Sequence, residues 1–211
     1  MIKQISFKKK KALNQLKALK NLTKYKQIRL AADGWNEDWK TLIAALMSAR
    51  TTDKVTIPTA EQLFKKYPTL KKLAKSKEND IAKIIKPVNF YKTKSKHVSN
   101  LSKILIKEYN SNVPHKLEEL IKLPGIGRKT ANVFLAEKGY SNIGVDTHVS
   151  YISNYLGWTK HTQQEKVEQD LKSLFPKNKW KEINWILVTF GQTHTNRMLK
   201  NQILNKVKEI K

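Results

Sequence analysis

Leu123-Pro124-Gly125-Ile126-Gly127-Arg128-Lys129-Thr130-Ala131 is the run on which the reading of this chain turns. Pro124 has no N–H to give and its ring blocks a preceding helix, so whatever helix carries Leu123 must stop there. Gly125 and Gly127 admit positive φ and strip side chains from a tight connection. Arg128, Lys129, Thr130 and Ala131 then open a second helix. The run is thus the bend of a helical hairpin. The N–H groups of Ile126, Gly127 and Arg128 are expected to point out of the new helix's N-terminus, where a phosphate can be gripped without reading bases. A P-loop is excluded because Arg128 separates Gly127 from Lys129 and no strand precedes the run. A dinucleotide fingerprint fails because Thr130 stands where a third Gly is required.

Outward from the hairpin the chain keeps a helical period. Upstream, Trp39–Ala49 is apolar on most sides and reads as a buried central helix. Shorter helices are expected over 59–67, stopped by Pro68, over 70–75, and over 80–86 ahead of Pro87. Residues 92–108 place Val98, Leu101, Ile104 and Leu105 on one face, and 118–122 close against Pro124. Downstream, a helix from Thr147 has Asp146 in the N-cap position. Further helices are expected over 163–174, 182–190 and 195–210. A basic amphipathic helix near the start carries Ala12, Leu13, Leu16, Leu19 and Leu22 behind Lys8–Lys11. No period-two alternation appears, so the expected fold class is all-α, about ten short helices with brief connections.

Composition narrows the function. The 211 residues hold 42 Lys and Arg against 17 Asp and Glu, a formal net charge of +25. An excess that large goes well beyond what solubility needs and points to a polyanion partner, nucleic acid first. There is no Cys, which excludes disulfides and Cys-ligated zinc or iron–sulfur centres. The first twenty residues lack the apolar core of a signal peptide, and no stretch approaches a membrane span. The expectation is an intracellular, cytoplasmic, nucleoid-associated protein, with no membrane partner.

Beyond the hairpin, Val145-Asp146-Thr147-His148, Leu46-Met47-Ser48-Ala49-Arg50-Thr51-Thr52-Asp53 and Asn89-Phe90-Tyr91-Lys92-Thr93-Lys94-Ser95 follow in family-like order and spacing. Together with LPGIGRKTA they resemble the endonuclease III group of helix-hairpin-helix DNA glycosylases over about residues 35–192. The resemblance implies two helical domains with the active cleft between them. One is a six-helix barrel over 32–144, with the hairpin motif at about 115–137. The second is built from 1–31 and 145–211.

The resemblance also implies a chemistry. Lys129 matches the lysine that attacks C1′ of the nucleotide and forms a Schiff base with the opened sugar; an amine is the nucleophile that can do both. Asp146 matches the carboxylate that stabilises the positive charge developing on the sugar. Alone, Lys129 also reads as a phosphate contact and Asp146 as a plain N-cap. Arg50 and Phe90 occupy the positions that fill the gap left by an extruded base, where the family more often has Gln and Leu. Asp53 reads as a supporting cap near the pocket. His148 is counted with the DNA-facing residues, though a lone His here is also an ordinary packing residue. Gly125, Ile126, Gly127 and Arg128 are the phosphate-gripping residues, and carbonyls near Leu123 and Gly125 can hold a monovalent cation in such hairpins.

One departure is plain. Most members carry four Cys near the C-terminus on an iron–sulfur cluster, and this chain has Gly191–Met198 and a Lys-rich tail there. No cofactor is expected, with Arg197, Lys200, Lys206 and Lys208 supplying the DNA contacts instead. The expected protein is a monomeric glycosylase with AP lyase activity on duplex DNA carrying a damaged base, oxidised pyrimidines first, or an abasic site. A monofunctional mismatch or damaged-base glycosylase and a non-enzymatic helix-hairpin-helix binder are the alternatives. Having both Lys129 and Asp146 argues against them.

Overall fold

The computed structural model describes residues 2–23 and 28–211, with side chains from residue 6 onward. Residues 1 and 24–27, part of the 1–31 segment given above to the second domain, lie outside the described residues. Twelve α-helices and a short 3-10 turn account for the regular structure, with no strand among the described residues. The all-α expectation holds. The chain forms two units, Arg29–Lys138 and the paired segments Met1–Ile28 and Gly139–Lys211.

The Arg29–Lys138 unit holds seven helices, two of them only four or five residues long. These are α2 (Asp38–Ser48), α3 (Asp53–Lys66), α4 (Leu70–Ala74), α5 (Glu78–Ile84), α6 (Tyr91–Tyr109), α7 (Leu117–Leu120) and α8 (Arg128–Glu137). Helix α2 is the central element anticipated from its apolar run. Trp39, Leu42, Ile43, Leu46 and Met47 are all buried in it, and it packs on α3, α6 and α8. The core continues through Leu63, Leu73, Ile81, Ile85, Val98, Leu101, Leu105 and Phe134. Asp38, at the head of α2, binds Lys138 Nζ at 3.1 Å, which ties α2 to the end of α8.

Helix α3 corrects the sequence reading. It starts at Asp53, six residues before the expected Thr59, and runs through Pro58. A proline removes one backbone bond, here to the exposed Lys54, whose carbonyl water can satisfy. Thr56 and Thr59 meanwhile bond back to the carbonyls of Thr52 and Val55. Thr69 behaves as a sequence rule predicts, its side chain accepting from Lys72 N to cap α4.

The second unit joins α1 (Ile2–Thr23) to α9 (Thr147–Tyr155), α10 (Gln164–Leu174), α11 (Trp180–Thr193) and α12 (Arg197–Glu209). Helix α1 packs on α10, α11 and α12 through Ala12, Leu16 and Leu19, while Lys8–Lys10 are exposed. Leu22, placed on the apolar stripe above, is 45% exposed. Buried Gln15 accepts a bond from Trp158 Nε1 at 2.7 Å and donates to the Lys208 carbonyl at 3.3 Å. The expected helix over 195–210 begins only at Arg197, because His194 leaves the helical region and Asn196 caps a new helix. No helix among the described residues is long and apolar enough to cross a membrane.

Candidate active site and nucleic-acid interface

The hairpin is built by α7, the 121–127 connection and α8. Gly125 has φ +75, as the tight bend requires, and a Cβ there would lie 2.6 Å from Nδ1 of His97. The ring of α6 therefore closes on the bend from beneath. Gly127 departs from expectation. It is an extended N-cap residue, φ −86, and a Cβ there would meet nothing within 4 Å. Its lack of a side chain leaves open space at the helix end rather than serving the backbone angle. Ile126 is also corrected. Its side chain is buried in the core, and its N–H donates to the Leu123 carbonyl at 3.1 Å, so it is committed within the bend. Gly127 and Arg128 sit at the N-terminus of α8, where helical N–H groups lack intrahelical acceptors. Lys129 is the second residue of α8 and is half-buried.

A second feature of the same unit lies at two turns, α2–α3 and α5–α6. Arg50 has φ +57 and Phe90 φ +60, both in the left-handed region that costs a non-glycine residue about 1 kcal/mol or more. The two side chains meet: the Arg50 guanidinium lies over the Phe90 ring at 5.0 Å. Phe90 is 56% exposed, so it is no core aromatic. Asn89 links the turns, donating from Nδ2 to the Arg50 carbonyl at 2.6 Å and from its backbone N–H to Thr51 Oγ1 at 3.2 Å. Asp53, first residue of α3, accepts from the Ala31 N–H at 3.1 Å and so anchors the chain entering the unit.

Sequence reasoning missed Lys94. It is the fourth residue of α6 and only 6% exposed. Its ammonium donates to the carbonyls of Met47 at 2.7 Å and Ala49 at 2.6 Å, and to Thr51 Oγ1 at 3.2 Å. Three donors thus meet three acceptors at the end of α2, where carbonyls lack helical partners. Burial pulls its pKa down to about 8. Lys94 lies in the Asn89–Ser95 run quoted above, but nothing in that run marks it as buried.

In the other unit, Asp146 is the N-cap of α9, as expected. Its Oδ1 accepts from Val149 N at 2.9 Å, which fixes the carboxylate. His148 packs on α11 so closely that a Cβ on Gly191 would lie 2.2 Å from its Nδ1. That contact supports the packing role for His148. Hence Lys129, Arg50, Phe90, Asp53 and the hairpin belong to the Arg29–Lys138 unit, and Asp146 and His148 to the other.

The stretch beyond α11 does not fit an iron–sulfur cluster. It offers no thiolate, and among the described residues no three His, Cys, Asp or Glu side chains could share a metal. Helix α12 is instead tied to α9. Tyr151 Oη donates to Asn201 Oδ1 at 2.5 Å and Tyr155 Oη to Asn205 Oδ1 at 2.8 Å. Arg197 and Lys200 lie over the Tyr151 ring, and Lys208 over that of Tyr155.

Residues 43–177 match the model of the HhH-GPD superfamily base excision DNA repair proteins. The chain is similar to endonuclease III of Thermotoga maritima, 42% identical over 158 residues that make up 74% of each protein. It is also similar to endonuclease III of a Synechocystis species, 31% identical over 194 residues, 91% of this chain and 87% of that one. Among solved structures it resembles a trapped endonuclease III–DNA covalent intermediate, an estranged-adenine complex. The TM-score is 0.82 at 30% identity, covering 89% of this chain and 88% of the other.

Proposed function

Because the chain belongs to the HhH-GPD superfamily and is a base-excision-repair DNA glycosylase, we propose that it removes damaged bases through Lys129 and then cleaves the strand as an AP lyase. The observation that carries this reading is one amine in the first turn of α8, two residues past the hairpin's N-cap Gly127. A phosphate held at that helix end brings the neighbouring sugar within reach of a single lysine. Its unprotonated Nζ attacks C1′, the C1′–N bond breaks, and the base leaves with the bonding pair. Ring opening gives a C1′ iminium on Nζ. Loss of a C2′ proton then expels the 3′ phosphate, and hydrolysis returns the amine. Asp146, held by its N-cap bond, stabilises the cationic sugar.

DNA is the partner, and the substrate is a duplex with an oxidised pyrimidine or an abasic site. Phe90 and Arg50 enter the stack as the base leaves it. Gly125, Gly127 and Arg128 hold the backbone, with the Leu123 and Gly125 carbonyls as the seat for a monovalent cation. The protein acts as a monomer in the cytoplasm, on the nucleoid, with no cofactor, and with Arg197, Lys200, Lys206 and Lys208 of α12 toward DNA.

Borohydride trapping on a thymine glycol duplex tests the mechanism. The intact chain should give a covalent adduct, Lys129→Ala none, and Asp146→Asn a strongly reduced yield while keeping its cap, since Asn is as good an N-cap as Asp. An adduct that survives Lys129→Ala would move the nucleophile elsewhere. No adduct on this or an abasic duplex, with DNA binding intact, would leave a monofunctional glycosylase or a passive binder.

A further inference from the structure

Two exposed side chains in left-handed turns, 40 residues apart in sequence, are held together by hydrogen bonds that converge on one buried amine. Lys94 Nζ takes the loose carbonyls of Met47 and Ala49 and shares Thr51 Oγ1 with the Asn89 N–H. Asn89 in turn holds the Arg50 carbonyl. Each group in this chain sits beside one of the two turns. The arrangement presents a 56% exposed Phe90 beneath an exposed Arg50, which does nothing for the core. A single α-helix also serves both halves: α6 starts at Tyr91, directly after Phe90, and carries Lys94 one turn later and His97 against the hairpin bend.

We infer that Lys94 is a positioning residue for base extrusion, holding the Arg50–Phe90 pair as a preformed wedge in register with the hairpin. This rests on the reading of those two residues given above. A cap that only stabilised α2 would make no distinction between substrates. A positioning residue makes one. Opening a paired base needs the wedge, whereas an abasic sugar in a single strand is already exposed and needs only the amine.

The test compares the intact chain with Lys94→Met, which keeps the stem and loses the donors. Single-turnover base removal from a thymine glycol duplex should fall at least about tenfold. Trapping on a single-stranded abasic oligonucleotide should stay within about twofold of the intact chain. The fluorescence rise of a 2-aminopurine next to the lesion, which reports unstacking, should disappear. If Lys94→Met does not fold by circular dichroism, Asn89→Ala, at an exposed position, takes its place and should show the same split, about threefold on the duplex. Duplex and single-strand activities falling in step, or neither falling, would overturn the inference. An intact chain that excises thymine glycol without trapping would sink the Schiff-base reading alone, because the 2-aminopurine signal still reports on Lys94.

Discussion

Gly125 and Gly127 stand two residues apart and do different work. Alanine at Gly125 meets both a left-handed φ and the His97 ring, so Gly125→Ala should destabilise the fold by about 1–3 kcal/mol in urea melts. Alanine at Gly127 has an allowed φ and open space and loses only the modest N-cap preference of glycine, so Gly127→Ala should cost less than about 1 kcal/mol. It should nonetheless weaken DNA binding, measured by anisotropy, because the methyl group would fill the helix end proposed above to take a phosphate. Both outcomes reversed would place the phosphate site elsewhere. The sequence made the bend legible through Pro124 and the paired glycines, and Asp146 through its place before an apolar helix. It could not separate the two glycines, because that needs the position of His97. Nor could it see that the Ile126 N–H is committed, since a bond back to Leu123 depends on the turn actually formed. Lys94 was illegible for a similar reason: its burial and its acceptors come from α2, more than forty residues upstream.

Among the elements, those with a strong apolar period or a clear stop were readable, α2 and α6 above all. Helix α3 was cut short in the reading because Pro58 looks like a breaker when its threonine neighbours' bonds are unseen. At the end of α8 an interaction between elements gives a pH signature. Asp33, before α2, pairs with Glu137, the last residue of α8. Partial burial of Glu137 and the nearby Asp33 charge raise its pKa to about 7, and burial raises Asp33 as well. The folded chain therefore binds this proton more tightly than the unfolded chain, in which Glu137 titrates near 4.5. The stabilisation is complete below that value and is lost as pH rises through 7. Glu137→Gln keeps a donor toward Asp33 and removes the repulsion. Its Tm should change less than that of the intact chain between pH 5 and 8, and should exceed it at pH 8. Equal slopes for the two proteins would exclude the shared proton.

For the whole molecule, charge is the dominant fact. With +25 on 211 residues, binding to undamaged duplex should fall steeply with salt. A plot of log K against log salt with a slope of about −4 or steeper corresponds to four or more neutralised phosphates. A slope near zero would mean that the lysines are a solvated surface and little else. The two units differ in how they are assembled. The hairpin unit is one contiguous stretch, Arg29–Lys138. The unit of Asp146 is closed by bonds from Gln15 to Trp158 and Lys208, and from Tyr155 to Asn205. A ribosome delivers these halves in order. The hairpin can mature while the C-terminal third is still being translated, whereas α9 gains its support from α12 only once Asn205 has cleared the exit tunnel. A nascent chain therefore carries a finished hairpin before it carries a secured Asp146.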